Sequence, residues 1–167
     1  ELVIMEGIEH QGEVKTDQEA EEDVVERSIN KGPLTDTEKE TLIRARKGQG
    51  QFREDVIKTH KRCPFTGVSN ADFLRAGHLK PWRKCENNQE RLDPYNGFPL
   101  TPVVDHLVDR GYLSFEPDGR VIFSPLLDPK DIKAMGLNTH NDYRITVVND
   151  RQKAYLAYHR AEIFKQR

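Results

Sequence analysis

AGHLKPW (76–82), DPYNG (93–97) and PVVDHLVDRG (102–111) decide the fold of this chain. A residue before proline is driven toward extended backbone, so the run leading into Pro81 is expected as a strand with His78 at or near it. Asn96-Gly97 is a strong turn signal, and Phe98–Thr101 follows as a second strand. Pro102 suits the first turn of a helix running to Arg110, with Gly111 as its stop. Strand, turn, strand and helix therefore succeed one another at the centre of the chain.

Working outward, Thr35 to Glu38 reads as a capping box for a helix ending near Lys47. A second helix is expected from Gly50 to Lys61, with Phe52, Val56 and Ile57 on its apolar face. Asn70–Leu74 suits a single helical turn, and the polar stretch 83–92 reads as loop. YLSFEPDGRVIFSP (112–125) alternates on either side of Pro117-Asp118-Gly119 and predicts a hairpin. A short helix near Asp128–Ala134, a strand at Tyr143–Val148 and a helix from Asp150 to Phe164 complete the order. That last helix is expected to turn Ala154, Tyr155, Tyr158 and Ile163 inward. Residues 32–167 thus form one α+β domain, and residues 1–31 an acidic linker or the end of a preceding domain, closed by Gly32-Pro33.

Charge divides at the same boundary. Residues 1–31 hold ten acids against three bases, −7, and the remainder 18 acids against 23 bases, +5. The acidic run reads as a solvated linker, and the basic body suits a polyphosphate partner. No apolar run approaches the roughly 18–20 residues that cross a bilayer, so no membrane partner is expected. ELVIMEG at the start has no basic region and is not a secretory signal. With no initiator Met, the chain reads as the C-terminal part of something longer. Cys63 and Cys85 are two thiols without a C-x-x-C pair, which suits reduced cysteines in the cytoplasm and gives no structural zinc site.

The chemistry concentrates in 32 residues. His78 is a candidate general base, and Lys80, Arg83 and Lys84 around it would hold a phosphodiester and favour the neutral imidazole. Asn96 is both a turn residue and a positioning amide, able to bond back to the backbone beside His78; its loss is expected to affect rate rather than fold. Asp105 and Asp109 lie one helical turn apart on one face, and a hard divalent cation is their natural partner. The competing reading pairs them with Arg110 or Arg91. His106 is the rival ligand, although 100° round the helix from Asp105. Asp93 precedes Pro94, suits an Asx turn, and is a candidate third ligand. Arg160 is a candidate phosphate contact, while Trp82, Tyr95, Tyr155 and Tyr158 read as core. A base, an amide and a hard-metal site suit metal-assisted phosphodiester cleavage.

Assembled, the chain resembles the HNH endonuclease family, the ββα-metal finger nucleases, and most closely a restriction-type bacterial branch. KGQGQFR (47–53), CPFTGVS (63–69), AGHLKPW, ERLDPYNGFPL (90–100), DHLVDRGYLSF (105–115) and YLAYHR (155–160) carry the likeness over roughly residues 47–164. The resemblance implies His78 as the base on the first strand, Asn96 at the turn and Asp105 as metal ligand, where many members carry histidine. Asp109 falls where some members carry a further ligand. Gly77 stands where many members place an acidic or histidine ligand, so metal binding is expected to rest on the helix. The resemblance implies one divalent ion, Mg²⁺ first with Mn²⁺ or Ni²⁺ as alternatives, and a double-stranded DNA substrate. It further implies the cleavage domain of a restriction-type, modification-dependent enzyme, working as a dimer of the full protein in the bacterial or archaeal cytoplasm. A DNA-binding module that keeps the finger without turnover, and a nuclease on RNA or single strands, are the alternatives.

Overall fold

Thr35 caps the second helix as its sequence anticipates. Its hydroxyl accepts from Glu38 N at 3.3 Å, and the Glu38 carboxylate accepts from Thr35 N at 2.8 Å. In the computed structural model, which describes residues 17–138, 143–147 and 149–167, helices α1 (Asp17–Lys31), α2 (Asp36–Arg46) and α3 (Gly50–His60) precede the first strand. Strands β1 (Arg75–His78) and β2 (Gly97–Leu100) pair antiparallel, Gly77 opposite Phe98 and His78 opposite Gly97. Between them lie a 3₁₀ turn (Trp82–Lys84), helix α4 (Asn88–Leu92) and a second 3₁₀ turn (Pro94–Asn96). Helix α5 (Pro102–Asp109) follows β2 and packs on β1, completing a ββα finger. A second hairpin, β3 (Leu113–Phe115) with β4 (Val121–Phe123), leads to α6 (Pro129–Ala134) and α7 (Asp150–Tyr158), which continues as a π-helical turn (His159–Ile163). Helices mixed with two small antiparallel hairpins make this an α+β fold.

Two apolar clusters position the finger. The larger joins Phe98 and Leu100 of β2 to Val104 and Val108 of α5, Leu113 and Phe115 of β3, Ile132 of α6 and Leu156 of α7. The smaller joins Leu42 and Ala45 of α2, Phe52 and Val56 of α3, Ala76 of β1 and Trp82. One face of the finger therefore rests on the C-terminal elements, while α2 and α3 hold β1 and its following loop. Within the larger cluster His159 is fully buried, donating through Nε2 to Val108 O at 2.9 Å and accepting at Nδ1 from the Ser114 hydroxyl at 2.8 Å.

Three expectations change. Residues 83–92 are not plain loop: Asn87 caps α4 by accepting from Glu90 N, and the Arg91 guanidinium binds the carbonyls of Trp82 and Cys85. The last helix buries Gln152, Tyr155, Leu156 and His159, a true i, i+3, i+4, i+7 stripe, and leaves Ala154 exposed. Of the strand expected at Tyr143–Val148, Arg144 makes an isolated bridge with Arg120, and Val148 lies outside the described residues. Within the segment expected as an acidic linker or the end of a preceding domain, Asp17–Lys31 forms a helix that places Ile29 in the smaller cluster. Residues 1–16 lie outside the described residues. Among the described residues no helix is long and apolar enough to cross a membrane.

Candidate active site

His78 ends β1 and lines a cleft walled by α5, the α2–α3 corner and the loop after β1. Its Nε2 lies 2.9 Å from Arg91 O. A carbonyl only accepts, so Nε2 carries the proton and Nδ1 keeps a lone pair. The imidazole lies flat on the Phe52 ring, with centroids 4.1 Å apart and planes 6° from parallel. Burial pushes its pKa down to about 4, against the pull of the Arg91 carbonyl. The ring is therefore a neutral base in a fixed tautomer at ordinary pH.

Asn96 is fully buried. Its Oδ1 accepts from Lys80 N at 2.8 Å, and its Nδ2 donates to Lys80 O at 3.2 Å and Glu90 O at 3.0 Å. Leu79 N donates to Asn96 O at 3.0 Å. The amide thus ties the segment leaving His78 to the one reaching Arg91, whose carbonyl orients the imidazole. With three backbone groups depending on it, Asn96 supports the fold as well as the site, beyond the role in rate expected from sequence.

Asp105 sits over Gly77. A Cβ built on Gly77 would run into Asp105 Oδ1 and would lie 3.2 Å from Leu100 Cδ1. The bare strand at residue 77 is what lets the carboxylate lie against β1 beside His78. Its nearest cation is Arg75, Nη1 to Oδ2 at 3.9 Å, on a side chain 63% exposed. Burial first, then the negative charge of Asp109, push the Asp105 pKa up to about 6. Arg91, the alternative partner weighed from sequence, is engaged elsewhere, its Nη1 donating to Asn88 at 2.8 Å. Asp109 and His106 line the same cleft.

A desolvated carboxylate, a second beside it and only a distant guanidinium form a donor set that fits a hard divalent cation. Mg²⁺ in particular takes one or two carboxylates and keeps several waters. Among the described residues no three His, Cys, Asp or Glu side chains gather as a metal cluster.

The structure does not bring Asp93, Lys80 or Arg160 into the cleft. Asp93 is buried; Oδ1 accepts from Tyr95 N at 3.0 Å, while Oδ2 meets Arg151 at 3.1 Å and the Tyr155 hydroxyl at 3.2 Å. Lys80 is buried with Nζ 2.8 Å from Glu90 and 3.5 Å from Glu86. Arg160 donates to Phe115 O at 2.7 Å. Arg83 lines the cleft and Lys84 is its neighbour, both paired with α1. Absent from the sequence reading were Arg46, Arg53 and Arg75, which also line it. For Arg53 the signal is KGQGQFR (47–53), one of the segments that carry the family likeness. Gly48 has φ +62°, and a Cβ on it would strike Ala76 O, so the glycine allows the α2–α3 corner to close on β1 and present the cations flanking it.

Residues 63–116 match the family model described as HNH endonuclease. The matched segment runs from before β1 through β3 and so contains His78, Asn96, Asp105 and Asp109. No curated protein matches the chain.

Proposed function

We propose, from a chain whose residues 63–116 belong to the HNH endonuclease family, that the finger is a divalent-metal-dependent DNA endonuclease site with His78 as its base. The hydrogen bond from His78 Nε2 to Arg91 O carries this reading, because it leaves Nδ1 as the acceptor in a cleft shared with Asp105 and Asp109. Nδ1 would take the proton of an attacking water, and the Arg91 carbonyl would steady the resulting imidazolium. Phe52 holds the ring in plane, and Asn96 holds the two backbone segments that flank it. Asp105 and Asp109 would hold the cation, whose chemistry is to offset charge on the phosphoryl oxygens and the leaving oxygen. Arg75, the exposed guanidinium of the cleft, would meet the substrate's phosphates, while Arg53 is held by its Nη2 to the carbonyls of Ala71 and Leu74.

The finer reading is the cleavage domain of a restriction-type enzyme with a preference for modified bases. It rests on the order of the six sequence segments. One finger cuts one strand, so double-strand cleavage would need two copies. A second reading is a DNA-binding finger without turnover. It is favoured by Gly77, which leaves two carboxylates rather than a larger ligand set.

The test is a plasmid-nicking assay across Mg²⁺, Mn²⁺, Ni²⁺ and EDTA, on modified and unmodified DNA. Cutting that needs a divalent ion and disappears in His78→Ala is expected. Undiminished cutting by that variant removes His78 as the base, and binding without cutting in every ion favours the second reading.

A further inference from the structure

Among the described residues, a dense set of ion pairs lies at the cleft's rim. Arg46 Nε meets Glu22 at 2.9 Å, its Nη2 meets Asp23 at 3.2 Å, and its Nη1 hydrogen-bonds Glu26. Arg83 lies 3.3 Å from Glu21 and 3.5 Å from Glu22, and Lys84 Nζ lies 2.9 Å from Glu21. Four carboxylates of one helix therefore face three cations. Arg46, Arg83 and Glu22 line the same cleft as His78 and Asp105.

We propose that α1 lies where a nucleic-acid phosphate backbone would run, covering the basic rim of Arg46, Arg83 and Lys84, and that duplex must displace it to reach His78. This rests on the reading of the cleft as a phosphodiester site.

Three observations carry it. First, the contact is a line of charge: four carboxylates along one helix meet three cations, and Arg46 alone bonds three of them. A row of anionic oxygens along a rod is also what a phosphate backbone presents to arginines. Second, the fit is incomplete. The Arg83 side chain is only 7% exposed, yet its Nε makes no hydrogen bond although Glu21 lies 3.3 Å away. Third, little apolar surface holds the helix. Ile29 is its one residue in the core, Val25 is partly buried, and Val24 is 62% exposed. A helix docked mainly by charge is released by a competing polyanion and by salt.

If the covered state predominates, duplex affinity is reduced by the fraction of uncovered molecules. The test compares the wild-type chain with Glu21→Gln/Glu22→Gln/Asp23→Asn/Glu26→Gln. A control carries the same charge change away from the cleft, on the exposed residues Glu54→Gln/Asp72→Asn/Asp131→Asn/Glu162→Gln. Binding of a fluorescent duplex is read by anisotropy in EDTA, where nothing can be cut, and nicking is read separately in Mg²⁺. Fluorescence of Trp82, the single tryptophan, buried against α2, follows melting and shows that each variant is folded.

The expected result is duplex affinity at least about tenfold higher for the helix variant than for the control, as a covered fraction near nine-tenths requires. Equal affinities overturn the proposal, and weaker binding by a folded helix variant overturns it too. Tighter binding without nicking in either chain would sustain the covered surface and remove the nuclease. Nicking with equal affinities would remove the cover and leave the nuclease.

Discussion

The Phe52 ring covers one face of the His78 imidazole at 4.1 Å, nearly parallel. This places a helix outside the finger in direct control of the His78 imidazole, since burial is what holds its pKa near 4. In Phe52→Leu the cover remains without the flat stack, so activity falls while the acid limb of the pH–rate profile stays near pH 4. Phe52→Ala admits water to the ring; the His78 pKa then rises toward its ordinary 6.5, and the acid limb moves up with it. The alanine variant also loses about 3–5 kcal/mol of stability to the cavity. Imidazole titration by NMR, beside nicking rates at each pH, checks both. An acid limb that stays near pH 4 in Phe52→Ala would show that Phe52 does not set the titration.

The finger was legible in the sequence because its signals are local. Pro81 and Pro102 each fix a backbone choice within a few residues, whereas Asn96-Gly97 closes no tight turn between the strands: Asn96 ends a 3₁₀ turn and Gly97 opens β2 in extended backbone. What stayed hidden depends on long-range pairing. Nothing near Asp93 announces Arg151, 58 positions on, or Tyr155, 62 on, and the Asx turn that it also makes suggested a freer carboxylate. Lys80 sits two residues after His78, but strand alternation does not reveal that its stem is buried and its amine bound to Glu90. The acidic composition of residues 1–31 argued for solvation. It could not show that Arg46 and Arg83 face those acids, because the match is made across 20 positions or more in sequence.

Asn96→Ala is expected to weaken both fold and rate. It strands Lys80 N and the carbonyls of Lys80 and Glu90 in a fully buried place. Each lost partner costs about 1–3 kcal/mol, and relaxation of the loop recovers part of this. Asn96→Asp keeps the acceptor for Lys80 N but sets a carboxylate against two carbonyls, so it should be no more stable than alanine. Urea titrations of the two variants provide the comparison. Loss of rate with unchanged stability in Asn96→Ala would show that the buried hydrogen bonds do not support the fold.

Gly77 and Asp105 compete for one space, so a methyl group at residue 77 should act as an indirect mutation of the carboxylate. Gly77→Ala forces Asp105 Oδ1 aside and crowds Leu100, at about 1–3 kcal/mol of strain. Its effect on Mg²⁺ binding should exceed its effect on folding. Asp105→Asn removes a charge that burial and Asp109 both oppose, and should raise stability by about 1–2 kcal/mol at neutral pH after allowance for partial exposure. If the proposed site binds Mg²⁺, the wild type should melt higher in its presence, and the same change should abolish that rise. Thermal melts with and without Mg²⁺ examine both variants together. A Mg²⁺ shift that survives in Asp105→Asn removes Asp105 from the metal site.

Acid should unfold this protein through two imidazoles, with one carboxyl acting against them. His78 and His159 both have pKa values near 4, depressed by burial from 6.5. Between those values the unfolded chain binds more protons, so unfolding free energy rises with pH. Their contribution is complete above pH 6.5 and disappears as pH falls toward 4, on the order of 2–3 kcal/mol each. Asp105 has the opposite sign: with its pKa raised from 3.8 to about 6, the folded state binds more protons in that window, and its contribution grows as pH falls. Two histidines outweigh one aspartate, so melting temperature should fall steadily from pH 7 to pH 4. Asp105→Asn should steepen that fall by removing the opposing group. His159→Gln should flatten it, although the lost bonds to Ser114 and Val108 lower the whole curve. Denaturant titrations at half-unit pH steps resolve the slopes, and a wild-type curve flat between pH 4 and 6.5 would mean that the imidazoles are not held neutral by the fold.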